Sequence, residues 1–262
     1  MKKIPQDIVG TIAILKFKRR TPWIIKKLRA KKFLKTHKTV ETIVEKTEKF
    51  SGVLRIPTTK YLAGIKTYET AYRENDCTFR FNINKTYFSP RLSNERKIIS
   101  DEVIKTISKK KNAKILVMFA GVSPYPIVLA RKLKLQNKKA TIISNELNKS
   151  ANTYSKKNIH LNKLQNYITL INGDAKKLPT KIKDKFDVIL MPRPNIKDTF
   201  LKTAIKLSKK GTTIFYHGFG TKESVTKEIR KDTDKKIGKI SIRKAGDIGP
   251  KRFRWQAKFK TN

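Results

Sequence analysis

Residues 113–124 read AKILVMFAGVSP, and this stretch decides the fold class. Residues 115–119 form an apolar run with the length of a buried strand. The small residues Ala120 and Gly121 favour a tight turn, and residues 126–135 have the composition of a helix. A strand that turns sharply into a helix is the repeating unit of a parallel α/β sheet.

The same strand–helix unit repeats toward the C-terminus. The apolar pattern predicts further strands at residues 140–144, 168–172, 186–191 and 212–217. Helices are predicted at residues 149–161, 196–207 and 223–231. Residues 237–244 and 253–259 have the pattern of a closing antiparallel pair. The predicted fold class is therefore α/β, with a mostly parallel, doubly wound sheet and an antiparallel edge.

The segment before this repeat mixes short strands with a basic helix. Thr21 as N-cap and Pro22 in the first turn predict a helix over residues 22–34. Ser93 or Asn94 is the predicted cap of a second helix that runs to residue 108. We therefore predict an N-terminal α+β domain at residues 1–85 and a larger domain at residues 86–262. The predicted strands of the first domain are residues 8–15, 39–45, 52–56, 67–73 and 78–83.

The charge of the chain indicates a polyanionic partner. Lysine and arginine total 63 against 20 acidic residues, which gives a net charge of +43. This exceeds the charge that a domain needs for solubility, and such a field repels itself unless a polyanion neutralises it. Nucleic acid is the predicted partner, although a lysine-rich proteome accounts for part of the excess. No membrane span is predicted, because no apolar run reaches the roughly 18 residues of a spanning helix.

The cysteine and histidine content indicates the cellular compartment and the metal chemistry to expect. The single cysteine, Cys77, excludes an intrachain disulfide and a cysteine-based zinc site. A reducing, cytoplasmic location is the simple expectation. Residues 1–15 have the pattern of a strand entry rather than of a signal peptide. The three histidines show no ligand spacing, so we expect no metal.

Two loops at the predicted carboxyl ends of strands suit a nucleoside. Ligands of doubly wound sheets bind beyond these strand ends. The first loop has a single glycine, Gly121, and is therefore not the GxGxxG motif of dinucleotide sites. The second loop carries Glu146, 25 residues after Gly121, where a carboxylate can accept both hydroxyls of a ribose. An ordinary tight turn and a helix-capping acid are the alternative interpretations.

Two further loops extend the pattern. Asp174 follows the third strand and is placed to bind an adenine amino group, with the backbone NH of Ala175 beside it. Pro192 and Pro194 follow the fourth strand and predict a rigid wall against a flat base or a methionine group. A loop stiffener is the alternative for the two prolines. Four such loops in this order at one sheet edge predict a site for S-adenosylmethionine.

Five further stretches share a pattern with known proteins: TYFSPRLSNER (86–96), MFAGVSPYPIVLA (118–130), SNELN (144–148), NGDA (172–175) and GPKRFRWQAKF (249–259). They resemble one known family, the archaeal and eukaryotic tRNA (guanine-37-N1)-methyltransferases. The resemblance covers nearly the whole chain, because residues 4–15, 54–64 and 70–75 are also similar to the family's middle domain. It implies a Rossmann-like class I methyltransferase sheet, a smaller N-terminal α+β domain that binds RNA and the target base, and the tRNA anticodon loop as partner.

The resemblance implies roles for matching positions. Glu95 matches the general base that takes the proton from guanine N1, Arg55 the arginine that stabilises charge on O6, and Tyr87 the aromatic residue that packs on the target nucleoside. These residue types suit the chemistry, since guanine N1 is a poor nucleophile until its proton leaves. The other implied positions are Pro194 for the substrate and a cofactor set: Arg96, Phe119, Ala120, Gly121, Val122, Glu146, Leu147, Asp174, Ala175 and Pro192.

Three features depart from the family pattern. Val117 stands where the family commonly has an acid, and residues 192–194 (PRP) stand where it often has Asn-Leu-Pro. By the same resemblance, we expect the chain to start at the family's middle domain, without the N-terminal domain that grips the outer corner of tRNA. The first two departures, with Pro126, are similar to an archaeal subgroup linked to wyosine. Members of that subgroup also methylate carbon 7 of the wyosine precursor 4-demethylwyosine in tRNA-Phe.

Two other functions stay open on the sequence. An aminocarboxypropyltransferase of wyosine synthesis uses the same cofactor differently, and residues 123–127 and 191–194 speak weakly against it. A non-catalytic tRNA-binding protein on a decayed methyltransferase fold is favoured by Val117 and Pro192. The joint presence of Glu95, Glu146 and Asp174 opposes that reading. The expected protein is a cytoplasmic, monomeric tRNA methyltransferase with no membrane or metal partner.

Overall fold

The N-terminal part of the chain folds into a four-stranded sheet and a separate hairpin. The computed structural model describes residues 5–47, 58–233, 237–249 and 252–262. The sheet has the order β1-β2-β3-β4, in which β2 and β3 are parallel and the other pairs antiparallel. Its elements are β1 (Gln6–Val9), β2 (Ile12–Leu15), α1 (Trp23–Thr36), β3 (Thr42–Lys46) and β4 (Thr59–Gly64), and the hairpin is β5 (Glu69–Glu74) with β6 (Cys77–Asn82).

Several predictions for this part were wrong in detail. The single strand predicted at residues 8–15 is a hairpin that turns at Gly10, where φ is +58°. A Cβ at that position would lie 2.0 Å from the carbonyl oxygen of Ala71, so glycine is required there. Thr21 is not the cap of α1, because Pro22 holds that position without a side-chain hydrogen bond. The sequence did not predict β4, and the strand predicted at residues 52–56 lies outside the described residues.

The larger sheet confirms the predicted doubly wound α/β architecture. In the described part of the chain its order is β12-β13-β11-β10-β7-β8-β9. The strands from β9 to β11 are parallel, and β13 pairs antiparallel with both β11 and β12. Its elements are α2 (Ser93–Thr106), β7 (Ala113–Val117), α3 (Pro124–Leu135), β8 (Ala140–Glu146), α4 (Lys149–Leu161), β9 (Ile168–Asn172), α5 (Leu178–Lys181), β10 (Phe186–Met191), α6 (Leu201–Lys206), β11 (Ser208–Gly220), α7 (Lys222–Asp232), β12 (Ser241–Gly249) and β13 (Arg252–Lys260).

Strand β7 shows why this sequence forms a central strand. Its side chains alternate between the two faces of the sheet. Ile115 and Val117 belong to the core cluster that includes α3, whereas Leu116 and Met118 belong to the cluster on the opposite face. Both faces of the sheet are covered at this strand, and the residues that point to either face are therefore apolar. The chain order reverses beside β7, which places β8 and β10 on either side of it and opens a crevice at the strand ends.

The hairpin β5–β6 packs on the larger sheet's helices rather than on β1–β4 alone. The backbone NH of Thr78 donates to Oδ1 of Asn162 at 2.9 Å, and that of Arg80 donates to Oδ1 of Asn158 at 2.7 Å. Phe79 lies in the same core cluster as β7 and α3. The domain division at residue 85 stays a prediction.

Two helix starts differ from the predictions. Ser93 and Asn94 lie inside α2, and Leu92 holds the cap position without a side-chain hydrogen bond. A 3-10 turn, Pro90–Leu92, precedes the helix because its proline fixes the backbone of the first turn. The helix predicted from residue 196 begins only at Leu201. None of the helices within the described ranges is long and apolar enough to cross a membrane.

Candidate active site

A cavity of about 350 Å³ opens beyond the carboxyl ends of β7 to β11. This volume is in the range of small-molecule sites, and its position is the one expected for a doubly wound sheet. The four predicted loops converge on it. The predicted site residues that line it are Tyr87, Phe119, Gly121, Glu146, Leu147, Asp174, Ala175, Pro192 and Pro194.

The loop after β7 is held in an unusual backbone conformation. Phe119, Gly121 and Ser123 all have φ between +58° and +64°, in the left-handed region. For the two residues that are not glycine this costs energy, and such strain is concentrated at ligand sites. The Oγ of Ser123 hydrogen bonds to those of Ser144, at 2.8 Å, and Ser155, which ties the loop to β8 and α4. The loop is therefore fixed before any ligand arrives.

Glu146 joins the first loop to the second. Its Oε2 accepts the backbone NH of Gly121 and its Oε1 accepts the backbone NH of Asn148, each at 2.8 Å. Burial raises the pKa of this carboxyl above its ordinary value, although the backbone hydrogen bonds oppose the rise. A carboxylate has about four acceptor sites, so each oxygen keeps one for a ligand hydroxyl. This arrangement fits the two hydroxyls of a ribose.

The third and fourth loops form the other walls. Asp174 accepts the backbone NH of Lys176 through Oδ1 at 2.9 Å, which caps the turn that begins at Ala175. Arg193 is buried and lines the cavity together with the prolines on either side. Its Nη1 donates to the carbonyl of Ile196 at 2.8 Å, and its Nη2 donates to Glu228 at 2.9 Å. These hydrogen bonds hold the loop in place.

Glu95 lies behind the cavity wall rather than in it. It is buried in the first turn of α2 and is not among the described residues that line the cavity. His217, at the end of β11, does line the cavity, and its Nε2 lies 3.4 Å from Oε1 of Glu95. Both carboxylate oxygens accept hydrogen bonds from Arg243. Burial opposes ionisation of Glu95, but the nearby His217 imidazole and the paired hydrogen bonds from Arg243 outweigh it, so its pKa lies below the ordinary value.

The structure does not bring every predicted residue to the cavity. Arg96 is buried and directed at Glu74, to which it donates two hydrogen bonds, and its Nη2 also reaches the carbonyl of Ser89 at 3.0 Å. It lies outside the set of described lining residues, as do the buried Ala120 and Val122. Arg55 lies outside the described residues.

Comparison with known proteins identifies the family. The family model described as the TRM5/TYW2 methyltransferase domain matches residues 70–243, about two-thirds of the chain. This chain belongs to the TRM5/TYW2 methyltransferase family. The match confirms the resemblance found in the sequence and spans all four loops of the cavity together with Glu95, His217 and Arg243.

Three members of the TRM5/TYW2 family illustrate the likeness. A Nanoarchaeum equitans protein named tRNA (guanine(37)-N(1))/4-demethylwyosine(37)-methyltransferase Taw22 is 33% identical, over 95% of this chain and 96% of its own. Pyrococcus abyssi tRNA (guanine(37)-N(1))-methyltransferase Trm5b is 32% identical over 82% of this chain and 59% of its own length. The crystal structure of Pyrococcus abyssi Trm5b superposes with a TM-score of 0.79, over 98% of this chain and 74% of that chain. The structure of Methanocaldococcus jannaschii Trm5 in complex with adenosine has 25% identity and a TM-score of 0.81, over 98% and 72% of the two chains.

Sequence reasoning missed His217 and Arg254, which both line the cavity of this family member. His217 is the last residue of the strand predicted at residues 212–217, so the rule that ligands lie at strand ends was sufficient to find it. Arg254 lies on the antiparallel strand β13, within the stretch GPKRFRWQAKF that carries the family resemblance but gave this arginine no role. No group of three or more residues suited to hold a metal ion occurs in the described ranges.

Proposed function

We propose that this chain is an S-adenosylmethionine-dependent tRNA methyltransferase that methylates N1 of guanosine 37. The observation that carries the proposal is a single cavity at the strand ends that Glu146, Asp174, Tyr87 and the prolines of the fourth loop line together. Its support is the likeness, over nearly the whole length of both chains, to the Nanoarchaeum equitans methyltransferase.

The proposed cofactor supplies an electrophilic methyl group on a sulfonium when it is bound. Glu146 then accepts hydrogen bonds from the ribose hydroxyls. Asp174 accepts a hydrogen bond from the adenine amino group, and Ala175 donates its backbone NH to the same base. Tyr87 and Pro194 hold the target guanine against the cavity, and Arg55 donates to its O6. Glu95 accepts the proton that leaves N1, beside His217, the cavity-lining residue nearest to its carboxylate. The protein's main task is to position the reacting groups.

A second product is proposed for the same site, the carbon-7 methyl derivative of 4-demethylwyosine at position 37. The name of the Nanoarchaeum equitans relative couples both substrates in one protein. In this chain the fourth loop, Pro192-Arg193-Pro194, lines the cavity, and the terminal nitrogens of Arg193 already donate to its own loop and to Glu228, so this wall presents two prolines and an engaged arginine. Such a wall suits a larger tricyclic base that needs shape rather than a specific polar contact.

Mass spectrometry of tRNA nucleosides tests both products. The protein is incubated with labelled cofactor and tRNA that carries guanosine or, as the matched control, adenosine at position 37. The expected product is N1-methylguanosine from the first tRNA and nothing from the second. A tRNA that carries 4-demethylwyosine tests the second product. An aminocarboxypropyl product would show the rival transferase instead, and cofactor binding without any product would show a non-catalytic RNA-binding protein.

Replacement of Glu146 by alanine is expected to weaken S-adenosylmethionine binding by about 1–3 kcal/mol, or roughly 5- to 150-fold, because the ribose hydroxyls lose their acceptor. Isothermal titration calorimetry measures the change. Asp184→Ala is the matched control, since that carboxylate is exposed and binds Lys114 at the opposite end of the strands. An unchanged dissociation constant in Glu146→Ala would remove Glu146 from the cofactor site.

Binding of tRNA is expected to depend strongly on salt. With a net charge of +43, the protein makes its contacts mainly to phosphates, and each contact releases counterions. The tRNA dissociation constant should rise at least about tenfold between 50 and 200 mM salt, as measured by filter binding. A flat response would exclude phosphate contacts as the main source of affinity. We also propose that the protein is a cytoplasmic monomer. Gel filtration with and without tRNA tests the monomeric state.

A further inference from the structure

The Glu95 carboxylate is held by a residue 148 positions further along the chain. Nη1 of Arg243 donates to Oε2 at 2.7 Å, and Nη2 donates to Oε1 at 2.9 Å. Two parallel hydrogen bonds from one guanidinium fix the plane of a carboxylate as well as its charge. Arg243 lies on the edge strand β12 and is partly exposed, whereas Glu95 is buried.

We propose that Arg243 is a positioning residue, whose guanidinium sets the orientation of the Glu95 carboxylate and keeps it ionised for transfer of the guanine proton. The inference rests on the proposed function, in which Glu95 is the base. Each carboxylate oxygen has two acceptor sites, so Oε2 keeps a second site beside its bond from Arg243. Arg243 therefore orients the Glu95 carboxylate and leaves an acceptor site on Oε2 that can take the proton.

Other groups face Glu95 from the cavity side. His217 on β11 is the nearest, and burial lowers the pKa of its imidazole below the ordinary value, which disfavours its charged form. Tyr125 on α3 lies edge-on to that imidazole with ring centroids 6.1 Å apart. Arg254 on β13 contributes a further positive charge near His217. Arg243 donates two hydrogen bonds to the carboxylate, whereas Nε2 of His217 makes none within the described part of the chain, so Arg243 supplies the main stabilising contact.

On the solvent side, a second acid shares the environment of Arg243. Glu102, two turns further along α2, lies 3.8 Å from Nε of Arg243 and binds Lys258 at 3.0 Å. Arg96, the sequence neighbour of Glu95, is occupied by Glu74. Lys258 is therefore a cation on the same surface that binds Glu102 instead of Glu95. This difference makes Lys258→Met a matched control for Arg243→Met.

A titration of the protein alone tests the inference without relying on activity. The carboxyl carbons of glutamate are labelled with carbon-13, and Glu95→Gln assigns the Glu95 signal. In Arg243→Met the apparent pKa of Glu95 is expected to rise by about one unit or more, because a nearby cation lowers a carboxyl pKa by roughly 1–3 units. In Lys258→Met it is expected to stay at the wild-type value. An unshifted Glu95 in Arg243→Met overturns the inference.

The rate of single-turnover methylation adds a second readout. Only ionised Glu95 accepts the proton, so the rate falls as the pH drops through its pKa, and in Arg243→Met this fall should move to higher pH by the same amount. Arg243→Lys restores a charge but not the paired hydrogen bonds. In Arg243→Lys the pH profile should return toward that of the wild type, because the charge is restored. Its plateau rate should stay below that of the wild type, because the carboxylate is no longer oriented by two hydrogen bonds. A profile that does not move overturns the inference, whereas wild-type protein that makes no N1-methylguanosine overturns the proposed function itself.

Discussion

Glu95→Gln is expected to slow methyl transfer to tRNA by about 10²- to 10⁴-fold, the usual contribution of a general base. Glutamine keeps the size of the side chain but cannot take the proton from guanine N1. Cofactor affinity should stay within a few-fold of wild type, because Glu95 is not among the described residues that line the cavity. Single-turnover methylation and calorimetry with S-adenosylmethionine measure the two effects separately.

The control for this prediction is Glu102→Gln. Glu102 lies on the same helix and near the same arginine but is directed to the surface, where it binds Lys258. It should keep methylation close to the wild-type rate. If Glu95→Gln methylates tRNA as fast as wild type, Glu95 is not the base, and His217 becomes the next candidate because it lines the cavity.

The second large effect is expected on stability, from Arg96→Met. Arg96 and Glu74 are both buried, and they form a paired salt bridge that joins the hairpin β5–β6 to α2. Removing one partner leaves an uncompensated buried charge, which costs about 3–5 kcal/mol. The free energy of unfolding in urea should therefore fall by that amount, while the cofactor dissociation constant stays unchanged. This outcome differs from the cofactor role that the family resemblance implies for Arg96.

The double variant Glu74→Leu, Arg96→Met is the internal control. With both charges gone, the site holds two apolar side chains, and such a replacement is often close to neutral for stability. We expect the double variant to unfold at a higher urea concentration than Arg96→Met alone. If instead Arg96→Met is stable and loses cofactor affinity, the role implied by the resemblance holds and our interpretation of the salt bridge is wrong.

Much of the larger sheet was predictable because its signal is local. Three elements, residues 149–161, 168–172 and 186–191, have the bounds that the apolar pattern predicts. The β7 pattern is decisive because residues 115–119 form the continuous apolar run expected of a strand covered on both faces. The N-terminal sheet was less predictable. Its Gly10 turn is required by close contact with Ala71, a residue 61 positions away, and no local pattern records that contact.

The candidate site divides in the same way. Glu146 and Asp174 follow parallel strands directly, so the strand pattern alone predicts that they share an edge. Glu95 and Arg96 are sequence neighbours, yet successive residues on a helix point about 100° apart. One side chain therefore reaches Arg243 and His217, and the other reaches Glu74. The motif TYFSPRLSNER (86–96) does not reveal that Glu95 and Arg96 have different partners.

The sequence by itself determined the succession of strands in the larger sheet and the acids at their ends, because these depend on residues close together in the chain, and its net charge predicted a polyanionic partner. The tertiary structure alone decided which charged groups meet. Arg243 reaches Glu95 only because β12 closes the sheet edge beside α2, and Glu74 reaches Arg96 only because the hairpin packs there. Electrostatic interaction depends on distance in space and on burial, and neither quantity is a property of sequence separation.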